Sequence, residues 1–559
     1  MKKLALLVCL VILTGTLFLG ACAAEMAPTT TRTQTTTHPT YTTSATYTTT
    51  QSTTSTIGFS VGGAKDVDNF RENIVNNYLP LPSDITFEGL FYDYYFDTGA
   101  TEPTDKLYAP SYCYAVTADP LSGETEYYLS VGLNSGMTEE DFARKQLNLV
   151  IVIDVSGSMG ELYNQYYYDR FGTQQDAYSG EGVTRLTKLE SAADAVVRIL
   201  DQLDEGDRVG VVTFDSNARV LQKSQPMNET NRYDLRNKVL DLRPGGSTNM
   251  SDGMNEATDI IERYYEQNSY EYENRIIFLT DAQPNTGDTS TGGMIGVMKR
   301  NAARHIYTTF IGVGVDFNSQ LVEDIIQVKG ANYYSVHSPR DFRDRIDEEF
   351  EYMVTPLVFN LTMDLYSDGW RIDKVFGSPE ADQATGNLMK INTLFPAKAD
   401  ESGDVRGGIV LLKLRKMSSE PDGNVFLKVR YEDRNGRTDE AVEEIALQSV
   451  APEYFQNSGI RKAILLTRYA ALMQNWTSDQ YRYFQRSAGW TPCMNEETGI
   501  VIQPYAYLSQ WERQSVPLTV SGSYEGIIRD FRDYFASEME AIGDDDLEQE
   551  LDILDNLSR

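Results

Sequence analysis

Residues 150–160 read VIVIDVSGSMG, and this stretch carries the strongest indication of fold and function in the chain. Four apolar residues, typical of a buried strand, run directly into Asp154, and Ser156 and Ser158 follow at alternate positions. An unpaired charge at the end of a buried strand is costly unless a positive group compensates it. The stretch therefore predicts a buried strand that ends beside a positive group.

Similar apolar strands alternate with helical patterns across residues 147–353. The strand-like runs are LNLVIVID, RVGVVTFD, RIIFLTD and HIYTTFIGVGV, and the helical patterns cover 187–203, 230–241, 252–267, 293–304, 318–329 and 339–353. Alternation of this kind indicates a mainly parallel sheet with helices on both faces. We therefore predict an α/β fold with a doubly wound, mainly parallel, Rossmann-like sheet.

Three loops that follow strands of this sheet carry oxygen ligands. They contribute Asp154, Ser156 and Ser158 from the first loop, Thr248 from the glycine-rich loop PGGSTN, and Asp281 from FLTDAQPN. Ligands of open parallel sheets sit beyond the carboxyl ends of the strands, where such loops converge. Two carboxylates and three hydroxyls suit Mg²⁺, Mn²⁺ or Ca²⁺ rather than zinc. With so few negative charges, a bound cation would attract a further anionic oxygen from outside the chain.

These five residues resemble the metal-ion-dependent adhesion site of von Willebrand factor type A domains. The flanking segments KLESAADAVVRILDQLDEGDRVGVVTFDS and RPGGSTNMSDGMNEA are also similar to that family. The resemblance implies that Ser156 and Ser158 coordinate the ion directly and that Thr248 joins when a ligand binds. It also implies that Asp281 acts directly or through water, and that a protein ligand supplies an acidic side chain.

The segments on either side of residues 147–353 have different patterns. Residues 57–146 carry aromatic, strand-like runs, residues 354–451 predict a β-sandwich, and residues 452–559 form a helical region with an acidic tail. The segment that begins GGAKDVDNFRENIVNNYLPL resembles the N-terminal part of exported bacterial proteins built like inter-alpha-trypsin inhibitor heavy chains. In that group a central type A domain is flanked in the same way.

The N-terminus predicts export and anchoring. Residues 1–22 read as a signal peptide: Lys2 and Lys3 precede a short apolar run that ends Leu-Gly-Ala-Cys at Cys22, which resembles a bacterial lipobox. The alternatives are a plain cleaved signal or an uncleaved anchor. Residues 23–56, rich in threonine, are expected to be an extended stalk. We expect an exported protein held by lipid on the extracytoplasmic face of a membrane.

Composition excludes some classes of function. The chain has 49 Lys and Arg against 82 Asp and Glu, a net charge of −33, which argues against nucleic-acid binding. Only 3 histidines leave little room for a histidine-rich metal site. Cys9 would be removed with the signal peptide and Cys22 would carry lipid, so Cys113 and Cys493 remain. The sequence leaves open whether these two form a disulfide or are separate buried thiols.

We interpret the chain as a binding module and not as an enzyme. The G-x-S-x-G pattern at residues 58–62 directly follows the threonine-rich segment, which is not the context of a hydrolase nucleophile. The alternative is an envelope assembly or structural factor that uses the same metal site; an exported hydrolase would need a base beside the metal. Residues 160–185 are a Tyr-rich insertion that either forms a rim over the metal or is a solvent loop.

Overall fold

The structure is a computed structural model of the chain. It describes residues 56–65, 67–100, 105–140, 142–161, 165–168, 174–176, 186–265, 271–281, 291–313, 324–336, 339–379, 387–417, 425–447, 450–487, 493–494, 501–502 and 516–558. The predicted signal peptide with Cys22, the threonine-rich segment up to residue 55 and most of the Tyr-rich insertion lie outside these residues.

Most strands and helices follow the alternation of patterns along the sequence. The strands are β1 Thr56–Val61, β2 Tyr95–Phe96, β3 Ser111–Ala118, β4 Thr125–Gly132, β5 Asn134–Thr138, β6 Gln146–Asp154, β7 Gln165–Tyr168, β8 Gln174–Asp176, β9 Arg208–Phe214, β10 Ala218–Pro226, β11 Tyr272–Thr280, β12 Ile306–Val313, β13 Asn332–Val336, β14 Val358–Tyr366, β15 Trp370–Phe376, β16 Leu388–Ala397, β17 Val405–Arg406, β18 Ile409–Lys416, β19 Val425–Asp433, β20 Thr438–Ile445, β21 Tyr454–Phe455, β22 Cys493–Met494 and β23 Val501–Ile502. The α-helices are α1 Asp68–Val75, α2 Phe87–Tyr92, α3 Lys188–Asp201, α4 Arg232–Leu240, α5 Met250–Tyr265, α6 Thr291–Ala302, α7 Pro339–Val354, α8 Ser458–Ser487, α9 Gly522–Ile542 and α10 Glu548–Leu557.

The central α/β unit contains a six-stranded sheet in the order β10-β9-β6-β11-β12-β13. All neighbouring strands are parallel except the antiparallel edge pair β10 and β9. Residues of β6 alternate between two cores: Leu149 and Ile151 face α3, α4 and α7, while Val150 and Val152 face α5 and α6. Burial on both faces explains why the strand is continuously apolar. This sheet confirms the predicted doubly wound α/β fold.

Strands from both sides of the central unit build one β-sandwich. The first sheet has the order β20-β19-β14-β16-β1-β5, and the second has the order β15-β18-β4-β3-β21. In the first sheet β1 pairs with β16, placing Gly58 opposite Ala397, and in the second β4 pairs with β18. The sequence predicted segments 57–146 and 354–451 as two separate units on either side of the central one. In the structure they share both sheets and one apolar core.

A helical layer covers the outer face of the second sheet. Helices α1, α2, α8, α9 and α10 share an apolar core with the outward-facing residues of β3, β4 and β18. Trp476 of α8 is completely buried in this core. Among the described residues, no helix combines the length and the apolar character that crossing a membrane requires.

Cys113 lies on β3, within the core under this helical layer. Its thiol is free and buried, and burial raises its pKa to about 11. The side chain of Cys493 lies outside the described part of the chain. Pairing of the two cysteines under oxidising conditions therefore stays a prediction.

Candidate metal centre

Asp154 is the last residue of β6 and is completely buried. Its Oδ1 accepts a hydrogen bond of 2.8 Å from the Ser156 backbone N–H, and its Oδ2 accepts one of 2.6 Å from the Thr280 hydroxyl. The two bonds hold both carboxylate oxygens in place at the carboxyl end of the sheet. The carboxylate is thus fixed by the loop that follows it and by the neighbouring strand β11.

The two serines of the first loop place their hydroxyls side by side. Ser156 Oγ lies 3.1 Å from Ser158 Oγ. Ser156 is buried and Ser158 is half-buried, at the point where a single turn of 3₁₀-helix, Gly157–Gly160, begins. The alternate spacing in the sequence therefore brings two hydroxyl oxygens together beside Asp154.

The loop that carries Thr248 is joined to the first loop through the backbone. The Gly157 N–H donates to the Gly246 carbonyl at 3.2 Å, and the Gly245 N–H donates to the Val155 carbonyl at 2.8 Å. Gly246 has a φ of +79°, a conformation that favours glycine, and this turn lets the two loops approach. Thr248 is buried, only two residues beyond this turn.

Asp281 directly follows β11 and is completely buried. Its Oδ2 accepts a hydrogen bond of 3.2 Å from the Nζ of Lys188, the first residue of α3. The same Nζ lies 3.5 Å from Glu161 Oε2. Lys188 thus places a positive group beside Asp281, whereas the sequence predicted a divalent cation beside Asp154, which remains a prediction.

The electrostatics of the site favour a cation. Burial, followed by repulsion from the Asp281 carboxylate, raises the pKa of Asp154 to about 7, although the hydrogen bonds to Thr280 and Ser156 oppose this shift. Two buried carboxylates that repel each other, with hydroxyl oxygens beside them, form a donor set that fits a hard divalent cation. Among the described residues no group of three or more His, Cys, Asp or Glu side chains could hold a metal, and the predicted set contains only two.

Three contacts of the site were not predicted from the sequence: Thr280 with Asp154, and Lys188 with both Asp281 and Glu161. Lys188 had a detectable signal. A cation in the first turn of a helix opposes the helix dipole, and Lys188 shares a helical face with the buried Ser191 and Ala192. A lysine in such an unfavourable position indicates an anionic partner. Thr280 and Glu161 have no comparable signal, because a threonine at the end of a strand and a partly exposed glutamate in a loop are both ordinary.

Comparisons with known proteins identify the type of domain that the sequence motifs resemble. Residues 149–283 match the family model of the von Willebrand factor type A domain. Inter-alpha-trypsin inhibitor heavy chain H4 from Homo sapiens is 22% identical over 258 residues, covering 45% of this chain and 24% of that protein. Heavy chain H2 from Mesocricetus auratus is 21% identical over 256 residues, covering 44% of this chain and 24% of that protein.

Among solved structures, the chain is similar to a von Willebrand factor type A protein from Catenulispora acidiphila. The TM-score is 0.38 at 15% sequence identity, and the match covers 68% of this chain and 81% of that one. In the curated relatives, by contrast, the matched region spans about a quarter of the length of each protein.

Proposed function

Since the chain carries a von Willebrand factor type A domain, we propose that it binds an acidic group of a protein partner through a divalent cation. Type A domains typically mediate interactions between proteins. The residues that would hold the ion are Asp154, Ser156, Ser158, Thr248 and Asp281. A bound Mg²⁺, or Mn²⁺ or Ca²⁺, would supply a Lewis-acidic position that a carboxylate oxygen from the partner can occupy.

The observation that carries this proposal is the pair of buried carboxylates at the carboxyl ends of β6 and β11. Asp154 and Asp281 are each fully buried, and although Lys188 pairs with Asp281, repulsion from Asp281 still acts on Asp154, which favours a further cation. The hydroxyls of Ser156 and Ser158 supply neutral oxygens at the same place. Two carboxylates and three hydroxyls leave the octahedral shell of a Mg²⁺ ion incomplete, which supports an anionic group as the outside ligand.

The proposal includes attachment to a membrane surface. Cys22 ends the lipobox-like run, and residues 23–56 would act as a spacer between the lipid and the folded part. Membrane fractionation of cells that make wild type or Cys22→Ser checks this part: the variant should leave the membrane fraction or stay unprocessed. Retention of a fully processed Cys22→Ser protein in that fraction would contradict lipid anchoring.

The test of the binding function starts with the metal alone. Isothermal titration of the purified protein with Mg²⁺ or Mn²⁺ should show binding, and Asp154→Ala should weaken it at least tenfold, because one of two charged ligands is lost. Asp201→Ala removes an exposed carboxylate of α3 that pairs with Arg236, and it serves as the matched control with unchanged affinity.

Partner capture then tests the role of the metal in recognition. Wild type should retain its partner from detergent extracts in Mg²⁺ and release it in EDTA. Asp154→Ala should capture no partner, even where its thermal midpoint equals that of wild type. Undiminished capture by Asp154→Ala in EDTA would place binding elsewhere on the molecule. Capture limited to other envelope proteins would favour an assembly role for the same site.

A further inference from the structure

Lys188 occupies an unusual position for a lysine. Its side chain is 1% exposed, and its Nζ lies 3.2 Å from Asp281 Oδ2 and 3.5 Å from Glu161 Oε2. Lysine is rarely buried without an anionic partner, and a buried ion pair stabilises a fold only weakly because both charges lose their hydration. Stabilisation of the fold is therefore a weak explanation for a buried lysine at position 188.

The backbone holds Lys188 rigidly. The helix α3 begins with a capping box, in which the Glu190 N–H donates to Thr187 Oγ1 at 3.1 Å and the Thr187 N–H donates to Glu190 Oε2 at 2.8 Å. The Lys188 N–H also donates to the Glu161 carbonyl at 2.9 Å, which ties the start of α3 to the loop after Ser158. These bonds fix the start of α3, and the burial of the side chain with its contact to Asp281 keeps the ammonium beside that carboxylate.

The position of this charge bears on the metal that the proposed function requires. A cation held by Asp154 and Asp281 would share the Asp281 carboxylate with the ammonium of Lys188. Two cations on one carboxylate repel each other, and the repulsion is strong where burial excludes water. Glu161, whose side chain is 29% exposed, lies 3.5 Å from the Nζ and offers the ammonium an alternative partner.

We infer that Lys188 sets the metal affinity of the site and makes it depend on an anionic ligand from outside. Without metal, the ammonium neutralises Asp281 and keeps the two carboxylates together. With metal bound, the ammonium lowers the net negative charge around the ion and weakens its binding. A carboxylate from a partner adds negative charge and so raises the affinity for the ion. This inference rests on the proposed function of the site and adds the residue that controls its strength.

The experiment compares wild type with Lys188→Met and Lys188→Gln, using Mn²⁺ as the probe and acetate as a simple carboxylate. The methionine variant keeps an unbranched, apolar stem without the charge, and the glutamine variant keeps a hydrogen-bond donor in case the methionine variant does not fold. Wild type should bind Mn²⁺ weakly alone and more tightly with acetate. The variants should bind Mn²⁺ alone at least tenfold more tightly and gain less from acetate.

Lys238→Gln is the matched control. Lys238 is exposed on α4 and pairs with Asp234 at 2.7 Å, so its removal changes the net charge equally without touching the site. Its Mn²⁺ affinity should equal that of wild type. Thermal midpoints provide a second measurement: the Lys188 variants should be less stable than wild type in EDTA and recover with Mn²⁺, whereas a purely structural role would lower stability equally in both conditions.

The outcomes separate the two proposals. Binding of Mn²⁺ by wild type, with equal or weaker binding by both folded Lys188 variants, would overturn the role of Lys188 and leave the proposed function in place. Absence of Mn²⁺ binding in wild type and in the variants would overturn the metal-dependent function and this inference with it.

Discussion

Asp154 illustrates how the chain tolerates a buried charge at the end of an apolar strand. Its carboxylate accepts hydrogen bonds from the Ser156 N–H and the Thr280 hydroxyl, which replace part of the lost hydration. Repulsion from Asp281 still raises the pKa of Asp154, although the Lys188 ammonium pairs with Asp281. The metal-free site therefore retains an unfavourable charge that a cation would compensate.

Asp154→Asn should remove this unfavourable charge while keeping the hydrogen bonds of the side chain. The amide can still accept from the Ser156 N–H, and its NH₂ can donate to the Thr280 hydroxyl, so the geometry should persist without the charge. In EDTA we expect the thermal midpoint of the variant to lie a few degrees above that of wild type. The reason is that removing the repulsion between residues 154 and 281 adds about 1 kcal/mol to the free energy of unfolding. The increase in midpoint that Mg²⁺ causes in wild type should disappear. A lower midpoint in EDTA would show that the ionised carboxylate stabilises the metal-free fold.

Helix α8 shows how single contacts join whole elements. Arg468 of α8 donates to Glu126 Oε2 at 2.8 Å, and Lys413 of β18 donates to the other oxygen of the same carboxylate. Burial opposes ionisation of Glu126, but the hydrogen bonds from Lys413 and Arg468 outweigh it and lower the pKa of this carboxyl group. One carboxylate on β4 thus connects the helical layer to two strands of the second sheet.

Glu126→Gln should loosen this connection in a pH-dependent manner. A lowered folded-state pKa means that the ionised carboxylate stabilises the fold above its unfolded value near 4.5, and this contribution is lost as the pH falls through the lowered value. We expect a loss of about 1–3 kcal/mol at neutral pH. The gap to wild type should narrow in acid. Urea unfolding at a series of pH values measures it, and a gap that is independent of pH would show that the charge of Glu126 is not the cause.

For the whole molecule, the main feature is a central α/β unit inserted into a sandwich. The chain builds β1, β3, β4 and β5, then the whole central unit, and then returns to complete both sheets. Neither half of the sandwich can bury its apolar faces alone, because β1 pairs on its two sides with β16 and β5, and β18 lies between β4 and β15. The central unit has its own apolar cores on both faces of its sheet.

Deletion of residues 56–140 should therefore unfold the sandwich and spare the central unit. Loss of β1 and β4 leaves the edges of β16 and β18 unpaired, so the truncated chain should aggregate or become protease-sensitive beyond residue 354. A fragment of residues 142–356 should give the circular dichroism of a folded α/β domain. Adding residues 56–140 as a separate chain should restore the resistance of the region beyond residue 354 to protease. A truncated chain with a protease-resistant second half would show that this half folds alone.

Features that depend on local pattern could be predicted from the amino-acid sequence alone. The apolar run of β6, the alternation of strands with helices and the position of oxygen-bearing residues after strands were enough to predict the doubly wound sheet. They also predicted that the loops of Asp154, Thr248 and Asp281 converge. The reason is that parallel strands end at the same edge of a sheet, so chain order alone brings their loops together. Metal binding by these residues, lipid at Cys22 and a Cys113–Cys493 disulfide remain predictions.

The contacts between groups distant in sequence became known from the folded structure and could not be predicted from local pattern. The pairing of Lys188 with Asp281 joins residues 93 positions apart, and β1 pairs with a strand from the far side of the central unit. A periodic pattern reports that a residue is buried, but many partners could satisfy the same burial. The choice among them depends on the free energy of the complete arrangement, in which each sheet needs strands from both halves of the chain and each buried charge needs an opposite charge.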